Sequence, residues 1–204
     1  MIELKIEQLG TCTVEGFPSF PYTCLTTERL IIRAPNISHQ KDWVDVRTQN
    51  KDRLQPYEPL WSENWSTAEG YRARLAYQNK EWREDRGYFF LLFRRDDQSL
   101  IGGMNVNNVI RGSAQFASLG YWIDEAHEGQ GFMSEAMDST LAFCFDILKL
   151  QRVHAAILPD NTRSQKLLER FHFIKEGMSP KFAEINGTRE DHDLYGVNFP
   201  EDRS

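Results

Sequence analysis

Gly120-Tyr121-Trp122-Ile123-Asp124-Glu125-Ala126-His127-Glu128-Gly129-Gln130-Gly131-Phe132-Met133-Ser134-Glu135-Ala136 reads as a strand that runs into a loop and on into a helix. Backbone N–H groups at a helix start have no acceptor within the helix, and glycines let a ligand come close to the chain. The loop therefore suits an anion such as a pyrophosphate. The same two glycines also suit a tight turn that binds nothing. Gly129-x-Gly131-x-x-Ser134 imitates a dinucleotide fingerprint, but that motif follows the first strand of a parallel unit and needs an acid about 20 residues on. Here an antiparallel meander precedes the loop, and Lys149 and Arg152 occupy the window for the acid. No GxxxxGK[ST] is present, so a P-loop is excluded and a different phosphate cradle is indicated.

On the C-terminal side, Met133, Ala136, Met137, Thr140, Leu141, Cys144 and Leu148 recur at helical spacing and predict a long amphipathic helix. Arg152 to Leu158 alternates as a short strand ended by Pro159. Asn161 caps a helix with Ser164, Leu167, Leu168 and Phe171 on its inner face. Phe173 to Val197 reads as two strands joined through Asn186-Gly187. Upstream, Tyr88 to Arg95, Leu100 to Val109 and Ala114 to Ile123 form a meander. Before it come one strand over Leu25 to Arg33, a helix opening near Asn36 or Ser38, and an aromatic loop, Tyr57-Glu58-Pro59-Leu60-Trp61-Ser62-Glu63-Asn64-Trp65. A second helix opens with the capping-box form Ser66-Thr67-Ala68-Glu69 and runs to about Arg83. The order β-α-α-β-β-β-α-β-α-β-β specifies an α+β domain around one central sheet. It covers residues 25–204, preceded by an N-terminal arm, residues 1–24, packed on the domain.

The 204 residues, 40% hydrophobic and 26% charged, fall outside the disordered and collagenous classes. No window approaches a membrane span, and the charged N-terminus lacks the apolar core of a secretory signal. A net charge of -6 removes the footprint of a nucleic-acid binder and is compatible with a basic partner or with solubility alone. Cys12, Cys24 and Cys144, without a CxxC pair, indicate free thiols and the cytoplasm. His127, His154 and His192 are candidate metal ligands or bases; they show no metal-ligand spacing, so no metal is expected, and Asp191-His192 is read as a brace for the last strands ahead of a catalytic role. Arg163, Lys166 and Arg170 stand at i, i+3 and i+7, either a phosphate contact or a solvated face.

Strand, GxG, helix, strand and then Asn161-x-x-Ser164 opening another helix resembles the GNAT acyl-CoA N-acetyltransferases. Within them the chain is similar to the RimJ/RimL group, which acetylates the N-terminal α-amine of ribosomal proteins. Leu25-Thr26-Thr27-Glu28-Arg29-Leu30, Leu54-Gln55-Pro56-Tyr57-Glu58-Pro59, Asn107-Asn108-Val109-Ile110-Arg111-Gly112, Leu119-Gly120-Tyr121-Trp122, Glu128 to Ala136, Asn161-Thr162-Arg163-Ser164, Ala183-Glu184-Ile185-Asn186-Gly187 and Asp191-His192 carry the likeness, over about residues 25–197. Two positions depart from it: Ala126, where Arg or Gln often opens the phosphate motif, and His172, where Gly commonly stands.

The resemblance implies the GNAT fold, a single mixed and mostly antiparallel sheet with helices on both faces. It implies acetyl-CoA as co-substrate and direct attack by an amine in a ternary complex. The edge at Trp122 and Ile123 would pair with the pantetheine amides and polarise the thioester. Gly129, Gln130, Gly131, Phe132, Met133 and Ser134 would hold the pyrophosphate, with Arg163 and Lys166 beside it. Asn161 would support the pantetheine arm or act simply as a helix cap. Ser164 would protonate the leaving thiolate, or bond back within its helix. Glu184, or else Glu58 in the aromatic loop, would take the amine proton. An α-amine with pKa near 8 is already about a tenth neutral at pH 7, so a weakly placed base suffices. The expected acceptor is a protein N-terminus. A small-molecule amine, and a non-catalytic CoA-binding module, are the alternatives. Neither nucleic acid nor membrane is implied, and the chain is expected as a monomer or homodimer.

Overall fold

The computed structural model describes residues 24–199, so apart from Cys24 the expected N-terminal arm lies outside the described residues. A single eight-stranded sheet runs β1 (Cys24–Thr26), β2 (Leu30–Arg33), β3 (Tyr88–Arg94), β4 (Leu100–Ile110), β5 (Phe116–Ile123), β6 (Arg152–Ile157), then β8 (Thr188–Asn198) and β7 (Ile174–Ile185) at the far edge. Every neighbouring pair is antiparallel except β5 and β6. The helices are α1 (Gln40–Gln49), α2 (Lys51–Leu54), α3 (Ala68–Arg83), α4 (Phe132–Ala142) and α5 (Thr162–Arg170). The α+β architecture with a mostly antiparallel sheet is as expected.

Four local details differ from the sequence reading. The run Leu25 to Arg33 is a hairpin, because Thr27 exchanges bonds with Leu30 across a turn: its N–H donates to the Leu30 carbonyl at 3.0 Å and its hydroxyl accepts from the Leu30 N–H at 2.9 Å. Glu135 of α4 fastens this turn by accepting from Thr27 and from the Arg29 N–H. A 3-10 turn, Ile37–His39, precedes α1 and is capped by Asn36, which accepts from the Ser38 N–H at 2.9 Å. Thr67 rather than Ser66 caps α3, accepting from the Gly70 N–H at 3.0 Å, so Glu69 is one residue short of a reciprocal bond. Helix α4 ends at Ala142, and a π turn over Phe143–Ile147 then sinks Phe143, Cys144 and Phe145 into the core.

Strand alternation supplies each face of the sheet with its own core. Met104 and Val106 of β4 and Leu119 of β5 pack with Met137 and Leu168 beneath α4 and α5. On the other face Trp122 joins Trp43, Tyr71, Leu75 and Phe93 beneath α1 and α3. Each such large apolar side chain, fully buried, contributes about 1.5–3 kcal/mol before entropy is counted. The Asn186-Gly187 hairpin forms as read, with φ of 47° and 82°, the left-handed pair that a two-residue hairpin turn requires. His172, standing where a glycine is common, adopts φ 61°. Among the described residues no helix is long and apolar enough to cross a membrane, and no group of three His, Cys, Asp or Glu side chains is arranged to hold a metal.

The parallel pair positions the site. β5 and β6 are in register only from Phe116 to Ser118 against Arg152 to His154. Beyond that, β5 follows β4 as far as Ile123 opposite Gly102, and β6 follows β8 as far as Ile157 opposite Asp193. The two strands therefore part toward their C-terminal ends and leave the β5 edge unpaired from Leu119 onward.

Candidate active site

The loop after β5 is built to receive an anion. Gly129 and Gly131 take φ of 70° and 85°, and Gly131 caps α4 in the left-handed conformation. The first amide to be satisfied in this helix is that of Glu135, which donates to the Gly131 carbonyl at 3.0 Å. Among the described residues the N–H groups of Gly129 through Ser134 have no acceptor, six donors gathered at a positive helix end. Arg29 donates to the Gln130 carbonyl at 3.0 Å and its guanidinium covers the Phe132 ring at 4.4 Å. Arg29 also neutralises Glu135: burial opposes ionisation of that carboxyl, but bonds from Thr27 and Arg29 hold it below the usual carboxylate range. Arg170 reaches the Ser134 hydroxyl at 2.8 Å, and Arg163 pairs with Glu128 at 2.9 Å. Met133 packs on the core, and exposed Lys166 bonds to nothing among the described residues. The donor set suits a pyrophosphate.

Arg53 of α2 ties this loop to the sheet. One end of its guanidinium donates to the Glu128 carboxylate and the other to the carbonyl of Ile123, the last residue of β5. Asn50, on the preceding turn, bonds Asp124 at 2.8 Å and the Glu125 N–H at 2.9 Å.

Where β5 and β6 part, a cavity of about 580 Å³ opens, lined on one side by Leu119 to Trp122 and on the other by Ala156 to Leu158. Asn161 and Ser164 of α5 also line it. The Asn161 side chain accepts from the Ser164 N–H at 3.1 Å, so Asn161 does cap its helix while presenting the rest of its amide to the cavity. The Tyr121 hydroxyl is fully buried without a well-formed hydrogen bond. Ser164 is the polar side chain that acts on it, and only partly offsets the burial that pushes the phenol up to about 12. The Tyr121 and Ser164 hydroxyls thus lie close together on the cavity wall.

The remaining wall comes from α1, α3 and the aromatic loop. Glu58 lies in it, but both its oxygens are taken: Arg47 grips the carboxylate with two N–H groups and Trp61 donates to it at 2.8 Å. The Arg47 guanidinium is covered by the rings of Trp61 at 4.2 Å and Trp122 at 5.0 Å. The β7–β8 hairpin closes over this wall, with the Asn186 N–H donating to the Glu58 carbonyl at 2.9 Å. Ile185 of that hairpin lines the cavity. Its neighbour Glu184 points the other way, exposed and opposite Arg189. The structure therefore brings Ser164, Asn161, Trp122 and Glu58 to one cavity and leaves Glu184 outside it.

His192, read from sequence as a brace, lines the cavity instead, while Asp191 does the bracing by accepting from the Lys181 N–H at 2.9 Å. His192 is buried, and its Nδ1 lies 3.0 Å from the Glu190 carbonyl. A carbonyl only accepts, so in the neutral ring the proton sits on Nδ1 and Nε2 keeps a lone pair. The sequence reading favoured bracing over catalysis for His192 and missed Tyr121, Arg47 and Arg53. Strand alternation from Trp122 could have placed Tyr121 on the helix α5 side. The arginines carried no local signal, because their partners are 11 and 75 residues away.

Residues 29–174 match the family model described as "Acetyltransferase (GNAT) domain". The chain is 34% identical over 184 residues to the [ribosomal protein uS5]-alanine N-acetyltransferase of Escherichia coli, covering 89% of this chain and 93% of that protein. The ribosomal-protein-S5-alanine acetyltransferase of Vibrio fischeri superposes with a TM-score of 0.81 at 27% identity, over 88% of this chain and 98% of its own. RimJ of Mycobacterium smegmatis, solved in complex with CoA-disulfide, does so with a TM-score of 0.78 at 25% identity, over 83% and 81%. With the parted strands, the glycine-turned loop and more than half of its length matched, this chain belongs to the GNAT acetyltransferase family.

Proposed function

We propose that the protein acetylates the α-amine of a protein N-terminus, of the ribosomal-protein type, using acetyl-CoA and working in the cytoplasm. The observation that carries this reading is that the unpaired β5 edge and the Ser164 hydroxyl share one cavity whose opposite wall is aromatic, while the row of free amides opens α4 a few residues beyond the end of β5. The acceptor follows from relatives named as a [ribosomal protein uS5]-alanine N-acetyltransferase and a ribosomal-protein-serine acetyltransferase.

In this reading the pyrophosphate rests on Gly129 to Ser134, and the pantetheine arm runs along Trp122 and Ile123 with Asn161 beside it. A β5 amide donates to the thioester oxygen, where negative charge develops during attack. The neutral amine forms its bond to the carbonyl carbon and loses a proton to His192 Nε2, directly or through water. The C–S bond then breaks, and the thiolate takes a proton from Ser164, whose hydroxyl is flanked by Tyr121. Glu58, held by Arg47 and Trp61, shapes the acceptor wall and is not the base. Glu184, outside the cavity, has no part in proton transfer.

The test is CoA-thiol release from acetyl-CoA with a peptide bearing a free Ala or Ser N-terminus, beside the same peptide N-terminally blocked and containing Lys. Release with the free N-terminus alone is expected. Release with neither, while acetyl-CoA binds, overturns the acceptor assignment. Ser164→Ala should lower kcat by about 100-fold, within the range for a lost general acid, and leave acetyl-CoA affinity in place.

A further inference from the structure

Arg74 is the charged group of the cavity that remains unaccounted for. The wall carries two arginines, Arg47 and Arg74, and one carboxylate, Glu58. Arg47 and Glu58 neutralise each other through a two-pronged ion pair. Arg74, on α3, forms no hydrogen bond or ion pair among the described residues, and its guanidinium lies over the Trp43 ring, 5.1 Å from the ring centre. Arg74 is exposed to solvent and stands on the cavity wall. Desolvation and then the Arg47 charge act against its ionised form, and Glu58 offsets them only in part. A guanidinium on a cavity wall with no protein counter-ion has its N–H groups open to an anion that enters the cavity. The aromatic wall beside it would exclude part of the surrounding water once a peptide lies in the cavity, strengthening the pairing.

The anion is not the phosphate of the co-substrate. Trp122 and Trp43 belong to the core under α1 and α3, whereas the amide-lined loop opens α4 on the opposite face of the sheet. Arg74 is therefore on the face from which the acceptor approaches. The protein carries a net charge of -6, so a positive group turned inward is a local feature rather than part of a basic surface.

Resting on the proposed α-amine acceptor, we infer that the acceptor peptide carries an Asp or Glu at its second or third position, and that Arg74 binds this carboxylate. An extended peptide advances about 3.3–3.6 Å per residue, so such a side chain lies one or two steps along the cavity from the reacting amine. A planar guanidinium already lying against an indole offers its N–H fork to a carboxylate with little further ordering.

The experiment compares kcat/KM for Ser-Glu-Ala-Ala, Ser-Gln-Ala-Ala, Ser-Ala-Glu-Ala and Ser-Ala-Gln-Ala with the wild type, Arg74→Gln and Arg74→Glu, melting curves confirming that each variant is folded. The wild type should prefer one acidic peptide over its amide twin by about 10- to 100-fold, the range for a charge-assisted hydrogen bond. Arg74→Gln should abolish that ratio while leaving the amide peptide as good a substrate as before. Arg74→Glu should favour a peptide with Lys at the preferred position over its acidic twin. Equal rates on acidic and amide peptides with the wild type, or an equal loss on both in Arg74→Gln, overturns the inference. If no peptide reacts while acetyl-CoA binds, the α-amine reading falls, and the carboxylate assignment is read from tryptophan fluorescence of the CoA-loaded protein titrated with glutarate. A response lost in Arg74→Gln supports it; no response, or the same response in both proteins, ends it.

Discussion

Gly112 and Gly129 permit a matched test of whether the loop conformation serves the co-substrate. Both residues are left-handed, with φ of 74° and 70°, and a Cβ at either meets nothing within 4 Å. Alanine therefore costs the same at the two positions, about 1–2 kcal/mol for a non-glycine residue in this region, with no steric term. Gly112 sits in the β4–β5 turn, far in the fold from the amides that α4 presents. In Gly112→Ala the whole cost should appear as lower stability, with acetyl-CoA affinity unchanged. In Gly129→Ala the free loop can relax out of the strained conformation, and binding must restore it. The same 1–2 kcal/mol is then divided between stability and affinity, the latter falling by up to about 5- to 30-fold. Calorimetric titration of acetyl-CoA together with urea unfolding of both variants measures the two parts. If Gly129→Ala keeps wild-type affinity and the acetyl-CoA-bound protein is not destabilised, or if Gly112→Ala weakens binding, the loop is not the cradle described.

Glu58→Gln leaves the Arg47 side chain, 9% exposed, without its counter-charge; because Glu58 is itself 24% exposed, the loss should be about 2 kcal/mol, below the 3–5 kcal/mol of a fully buried pair, and urea unfolding will read it. A change under about 0.5 kcal/mol would show the pair to be dispensable. His39 is buried and accepts from the Asn36 N–H at 3.2 Å, and burial first, then Arg33, lowers its pKa from 6.5 to about 4. Its folded pKa lies below the unfolded one, so stability present above pH 6.5 is lost as pH falls toward 4, by about 3 kcal/mol. Subtracting the unfolding profile of His39→Gln isolates this slope, and identical profiles would remove His39 as its source. Glu184→Gln should change kcat by less than about twofold at neutral pH, whereas a 100-fold loss would reinstate it as the base.

Motifs whose meaning is local were legible in the sequence. The GxG loop, the Asn161 cap and the Asn186-Gly187 turn each act on neighbouring backbone, so residue type and spacing suffice to identify them. The hairpin hidden in Leu25 to Arg33 was not legible, since an uninterrupted β-prone run gives no sign of where the chain folds back; the turn is held by Glu135, over 100 residues away. Glu184 illustrates the limit in the site itself. Its position in sequence is next to a cavity residue, but the period of two in a strand sends neighbouring side chains to opposite faces, and the register of β7 with its two shifts decides which one faces inward.

The short stretch from Arg47 to Trp61 touches both halves of the site. Within it Arg53 grips Ile123 and Glu128 at the co-substrate end, while Glu58, five residues later, anchors the acceptor wall and receives the hairpin tip. Four residues of helix separate these duties from α1, too few to flex independently. A shift of the loop on filling either end would have to move the other, which makes α2 a lever rather than a spacer. Linkage then works in both directions: whatever factor acetyl-CoA contributes to acceptor affinity, the acceptor returns to acetyl-CoA.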